Sequence, residues 1–280
     1  MSLLGLVRRF RWRVAATTTL VLLEAAIDLL IPLFIGIAIN GLLDDDYAGL
    51  VALGGLGVGA LVIGSARRFY DTRAYTGMYE ILAAELVDRE RERGSTTSTI
   101  AARTSLLNEF VEFLENSMPE IVMATIGTVG ILAVIGGLNV NVFLACLGLL
   151  VLLVITYWAS AGRNFALNRG YNDELERQVI VIEASDRDET RGHFRMLMRW
   201  NRRLSDLETF NYVVIWLGVI ALLLYAPIEV IEPGETEYGF AFSTILYVFQ
   251  YIEALVALPL YIQQAIRLRE ISERITEPVA

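Results

Sequence analysis

Two carboxylates, Glu24 and Asp28, stand four residues apart in LVLLEAAIDLLIPLFIGIAIN at 20–40, a run that is otherwise almost wholly apolar. Residues four apart share one face of a helix, and further steps of four reach Pro32, Gly36 and Asn40. This gives one polar or small stripe on an apolar helix. A second line of the same kind is Ser243, Tyr247, Gln250 and Glu253. An ionised acid at the centre of a bilayer costs about 2.5–3.5 kcal/mol on insertion scales, so Glu24, Asp28 and Glu253 must be protonated, paired or in contact with water. No arginine lies within the apolar runs, the second of which, from Leu50, ends at Gly64, which leaves a wet cavity, carboxyls held protonated, or both. The chemistry available to such residues is cation or proton passage. The competing expectation is that they only hydrogen-bond neighbouring helices. The candidate pathway residues are therefore Glu24, Asp28, Asn40, Ser243, Tyr247, Gln250 and Glu253.

Composition excludes much else. The chain has 280 residues, 55% hydrophobic, with one cysteine (Cys146) and one histidine (His193). Disulfides within the chain and Cys/His metal sites are thereby ruled out, and no metal or other cofactor is expected. All 23 basic residues are arginine, so the lysine that a P-loop needs to reach the β/γ-phosphates is missing. No nucleophile, base and orienting group converge, and no enzymatic activity is expected. His193 reads as an ordinary polar-face residue and Cys146 as a buried apolar one. Glu120, just after Pro119, reads first as a carboxylate complementing a helix start and second as a transport residue. Trp12 within RRFRWR reads as an interface anchor, and nucleic-acid binding is not expected.

Six apolar segments are long enough, or extend far enough, to cross a bilayer that takes about 20 residues of helix: about 14–42, 48–70, 119–138, 140–160, 211–231 and 240–263. In the second, Gly55 and Gly59 stand in a GxxxG relation that permits close helix contact. The first run is too long for a signal peptide and lacks an A-x-A cleavage site. If the spans alternate sides, the arginines fall entirely on one side: four before Val14, seven from Arg67 to Arg103, nine from Arg163 to Arg203 and three from Arg267 to Arg274. The other side carries Asp44, Asp45, Asp46, Glu229, Glu232, Glu235 and Glu237. The positive-inside bias then places both termini in the cytoplasm and the chain in the inner membrane. The long inner connections, about 67–118 and 161–209, carry apolar residues at spacings of three and four in YEILAAELVDRER, SLLNEFVEFLENSM and YNDELERQVIVIEAS. They are expected to be helical stalks that reverse near Gly94–Ser98 and Ser185–Glu189. Pro32 and Pro119 should kink or begin helices, and EPGETEYG at 232–239 should form an outer turn.

This arrangement resembles the transmembrane domain of ABC exporters. LLIPLFIGIAINGLL is similar to the end of that family's first helix. STTSTIAARTSLLNEFVEFLENSMPEI is similar to the stretch that leads from the first inner turn into the third span. FSTILYVFQYIEALVALPLYIQQAIRLREISERI is similar to the sixth span and its exit. The likeness covers nearly the whole chain, and it is the order and spacing of individually weak motifs that carry it. It implies an all-α membrane protein whose fourth and fifth helices reach across to a partner in a domain-swapped homodimer. The sequence ends at ITEPVA with no Walker A lysine, so the nearest likeness is to stand-alone six-transmembrane proteins without a nucleotide-binding domain. Three functions are thus expected in order: a homodimeric carrier or channel for a cationic or proton-coupled solute, the membrane subunit of a split exporter with a separately encoded ATPase, and a non-transporting scaffold.

Overall fold

The computed structural model describes residues 8–184, 186–231 and 237–276; beyond Tyr261, only the side chains of Gln263 and Gln264 are described. It is 94% helical with no strand among the described residues. The helices are α1 (Arg11–Leu43), α2 (Ala48–Glu92), α3 (Thr97–Glu112), a π turn (Phe113–Ser117), α4 (Met118–Leu138), α5 (Val140–Glu176), α6 (Gln178–Ala184), α7 (Arg187–Val230) and α8 (Tyr238–Thr276). Among the described residues, six helices are long and apolar enough to cross a membrane, and the chain is a multi-pass all-α membrane protein. The 45 residues of α2 span about 68 Å at 1.5 Å per residue, roughly twice the hydrocarbon thickness. The second span therefore runs on as one uninterrupted rod. The outer turn proposed at 232–239 lies largely outside the described residues.

The helices form two compact units, Met1–Asn139 with Val230–Ala280, and Val140–Glu229. In the first, α1 packs on α2, α4 and α8, and α3 packs on α2 and α8. α1 and α2 run antiparallel in a constant register: Thr17 meets Asp71, Glu24 meets Gly64, Ile27 approaches Gly59 and Ala38 lies against Gly49. The amphipathic stretches 74–86 and 107–114 bury their apolar faces against each other. Tyr75, Met78 and Leu82 of α2 pack with Leu107, Phe110 and Val111 of α3, Leu114 of the π turn, and Phe10. In the second unit, α5 and α7 are joined by Ser160 to Asn211 (2.6 Å), by Asn141 to Glu229 (2.5 Å), and by Trp200 lying against Gly170. Cys146 is fully buried. His193 is not on a polar face: it is buried and its Nδ1 lies 2.7 Å from Glu174. The surrounding stretch RDETRGHFRMLMRWNRR is strongly charged, and the Glu174 carboxylate of α5 is what gives the buried imidazole a partner.

The first inner reversal falls where the Gly-Ser-Thr sequence places it. α2 ends at Glu92, Gly94 adopts φ +73, and Thr96 caps α3 by accepting from Thr99 N–H. A positive φ favours glycine, which has no Cβ to clash. Glu90, itself buried, ties the turn: it accepts from the Ser95 hydroxyl (2.7 Å), Arg93 (3.0 Å) and Arg103. The Ser95 hydrogen bond, with the Arg103 guanidinium beside it, holds the Glu90 carboxyl below its ordinary range. A lowered folded-state pKa stabilises fully above the pKa of an unstructured glutamate (about 4.3) and ceases to do so as pH falls through the folded value. Amide-exchange protection across 94–100 should therefore drop on acidification, and in Glu90→Gln it should be low at neutral pH as well. Equal protection in both proteins would rule out this tie. α6 ends at Ala184 and α7 begins at Arg187; Ser185, where the second reversal was expected to start, lies outside the described residues.

Candidate functional site

The acid stripe of α1 is not unpartnered. Arg67, one turn beyond Gly64 on α2, forms an ion pair with Glu24 through its Nε, and its Nη1 lies 3.7 Å from Asp71. Asp71 is buried and accepts from the Thr17 hydroxyl at 2.6 Å. This corrects the expectation that no arginine would reach the acids. Arg67 sits at the arginine-bearing end of α2, outside its apolar run, but the antiparallel register lays its long side chain back toward Glu24. Gly64 makes room, because a Cβ there would stand 3.3 Å from Glu24 Oε1. Glu24 is therefore part of a Thr17–Asp71–Arg67–Glu24 chain.

Asp28 differs. It is exposed on the single chain and lines a cavity of about 90 Å³ together with Leu29, Met123, Gly127 and Gln250. Pro32, inside α1, supplies no N–H to the Asp28 carbonyl four residues earlier. Around this point hydroxyls of α8 donate to carbonyls of α1. The Tyr247 hydroxyl donates to Leu29 O at 2.6 Å, and the Ser243 hydroxyl lies 2.6 Å from Pro32 O. Both side chains are fully buried. Asn40 accepts from Gly239 N–H at 2.7 Å and donates to Glu237 at 3.3 Å. Ser243, Tyr247 and Asn40 are thus brought together as the seam between α1 and α8, whereas Asp28 and Gln250 face a cavity and Glu253 is exposed. Of the seven candidates, the structure groups three in a seam, two at a cavity, and one with an arginine.

The seam depends on a close approach that the GxxxG reading located elsewhere. A Cβ on Gly55 would meet nothing within 4 Å, and one on Gly59 only Ile27 at 3.9 Å. A Cβ on Gly36 would stand 2.1 Å from Ser243 Oγ and 2.5 Å from Gly239 O, and one on Gly239 would stand 2.0 Å from Gly36 O. The informative glycines are one from each of two distant helices, a pairing that no spacing rule within one helix reveals.

A second, larger cavity of about 200 Å³ lies between α2 and the π turn, lined among others by Arg67, Asp71, Glu115, Asn116, Glu120 and Met123. The helix-start reading of Glu120 fails here. α3, the π turn and α4 follow one another without interruption from Thr97 to Leu138, so there are no free amides at Pro119 for the carboxylate to serve. Sequence reasoning missed Arg67, Glu115 and Asn116. The Arg67–Asp71 spacing of four was the available signal, since it puts a cation and an anion on one helix face. Met123 lines both cavities, and among the described residues no group of three His, Cys, Asp or Glu side chains could hold a metal ion.

No curated protein matches the chain. The profile of the family described as ABC transporter transmembrane region matches residues 3–231. With six membrane-length helices and no strand among the described residues, the chain belongs to the ABC transporter transmembrane region family.

Proposed function

We propose that the protein is a homodimeric membrane carrier or channel of the inner membrane, with both termini cytoplasmic, that moves a cationic or proton-coupled solute past Asp28. The 280 residues contain no lysine to form a Walker A site, and no catalytic role is assigned to them. The observation that carries the reading is the position of Asp28: a carboxylate on an apolar helix, exposed on the single chain, facing a cavity shared with Gln250. Exposure to acyl chains would be costly at that depth, and a water-lined path shared with a second copy removes the cost. Homodimerisation draws support from the separate unit formed by Val140–Glu229, whose helices carry Val151, Val154, Ile155 and Leu217 outward. An acidic path between acidic outer loops attracts cations and repels anions.

The test is flux in proteoliposomes across a panel of monovalent cations and an imposed pH gradient. Asp28→Asn is expected to lower the flux at least about tenfold, a loss of 1.4 kcal/mol or more, while leaving stability unchanged. Undiminished flux in Asp28→Asn would remove Asp28 from the pathway. A second reading, the membrane subunit of a split ABC exporter, is favoured by α6, where Val179, Ile180 and Ile182 lie exposed beyond the apolar run of α5. Co-purification of an ATPase that is lost on Ile180→Asp would support that reading over the first.

A further inference from the structure

Most of the charge around the larger cavity is already committed. Arg67 is held by Glu24 and Asp71, and Asp71 by Thr17 and Arg67. The side chains of half-buried Glu115, of exposed Asn116 and Glu120, and of Arg68 also line the cavity, and among the described residues none of the four is seen in a side-chain hydrogen bond or ion pair. Two carboxylates against one guanidinium leave one uncompensated negative charge and a free amide. In an α-helix, residues five apart lie about 140° apart around the axis. The π turn at Phe113–Ser117 is wider, so Glu115 and Glu120 are turned toward the same side; such turns recur at functional sites. The volume, about 200 Å³, suits a small organic molecule rather than a bare proton. The ligand geometry for a metal ion is lacking among the described residues.

We infer that the cavity between α2 and the π turn binds a small organic ammonium ion, its N–H donors shared between the Glu115 and Glu120 carboxylates and the Asn116 carbonyl. Met123 lines both this cavity and the smaller one of Asp28 and Gln250. The inference rests on the cation-carrier reading and supplies its substrate class: a primary aliphatic amine enters at the arginine-bearing end and passes Met123 to reach Asp28.

The experiment is calorimetric titration of the purified full chain in lipid nanodiscs with n-butylammonium, with n-butanol as the uncharged shape control and butyrate as the anionic one. The expected result is saturable binding of the ammonium alone, weakened about tenfold in Glu115→Gln and in Glu120→Gln. Absent binding, equal binding of butanol, or binding indifferent to both Gln variants overturns the site. Butylammonium flux into proteoliposomes is read separately. Binding retained with no flux in the unmodified protein would overturn the carrier reading while leaving the site standing. Met123→Trp, a bulkier side chain at this position, is expected to keep binding and lose flux; unchanged flux would refute the passage beyond Met123.

Discussion

Gly36→Ala and Gly239→Ala should each destabilise the protein by about 3–5 kcal/mol. Part of this follows from overpacking, which costs about 1–3 kcal/mol where neighbours can still shift. Here they have little freedom: the new methyl at 239 would sit 2.0 Å from the Gly36 carbonyl oxygen, and the one at 36 would sit 2.5 Å from the Gly239 carbonyl oxygen. Backbone cannot rotate out of the way as a side chain can, so α1 and α8 must separate. Separation strains the Gly239–Asn40 and Ser243–Pro32 hydrogen bonds, each contributing about 1 kcal/mol, and exposes Tyr247 above them. Denaturation in mixed micelles, followed by loss of ellipticity, measures the difference. Gly55→Ala is the control: nothing stands within 4 Å of its Cβ, and it should be neutral or slightly stabilising, since alanine favours helix over glycine by about 1 kcal/mol. Gly36→Ala and Gly239→Ala behaving like Gly55→Ala would show that the helices are not in backbone contact.

The contrast among these glycines shows how far sequence alone could reach. The six spans, the reversal at Gly94 and the buried faces of 74–86 and 107–114 are periodic or compositional properties of single helices, and periodicity displays them directly. The stripe of Glu24, Asp28, Pro32, Gly36 and Asn40 was legible for the same reason. What each member of the stripe touches depends on a second helix. Whether Glu24 meets water or a guanidinium turns on the register of α1 against α2, and that register is set by packing at Gly49 and Gly64, which a single-helix pattern does not encode. Glu115 and Asn116 were hidden by a different cause. Reading SLLNEFVEFLENSM with a uniform period of 3.6 passes over the π turn, where the period changes. The aromatic and hydroxyl residues of α8 looked like lining because they are polar, yet Ser243 and Tyr247 face inward and spend their hydroxyls on the Pro32 and Leu29 carbonyls of α1.

Removing the Arg67 guanidinium should be the most costly single charge deletion in the chain. Arg67→Gln leaves Glu24 without its counter-ion and Asp71 with only the Thr17 hydroxyl, both in surroundings where their side chains are largely shielded. Breaking a buried pair from one side typically costs about 3–5 kcal/mol because the remaining charge is uncompensated. Glu24→Gln alone should cost less, since Arg67 keeps Asp71, and Glu24→Gln with Arg67→Gln should be more stable than the sum of the two losses predicts, with a coupling of about 1–3 kcal/mol. Flux adds a second readout to the same cycle. If Glu24 acts by anchoring Arg67, transport lost in either single variant should return in part in the double, because the uncompensated charge has gone. If Glu24 instead contacts the solute, the double variant should transport no better than Glu24→Gln. Strictly additive stabilities would show that the two side chains do not interact, and Asp71 would then have to hold Arg67 alone. Asp28→Asn is no independent reference: one turn from Glu24 on the same face, Asp28 interacts with the charges of both Glu24 and Arg67, so its effect should not simply add to that of the pair.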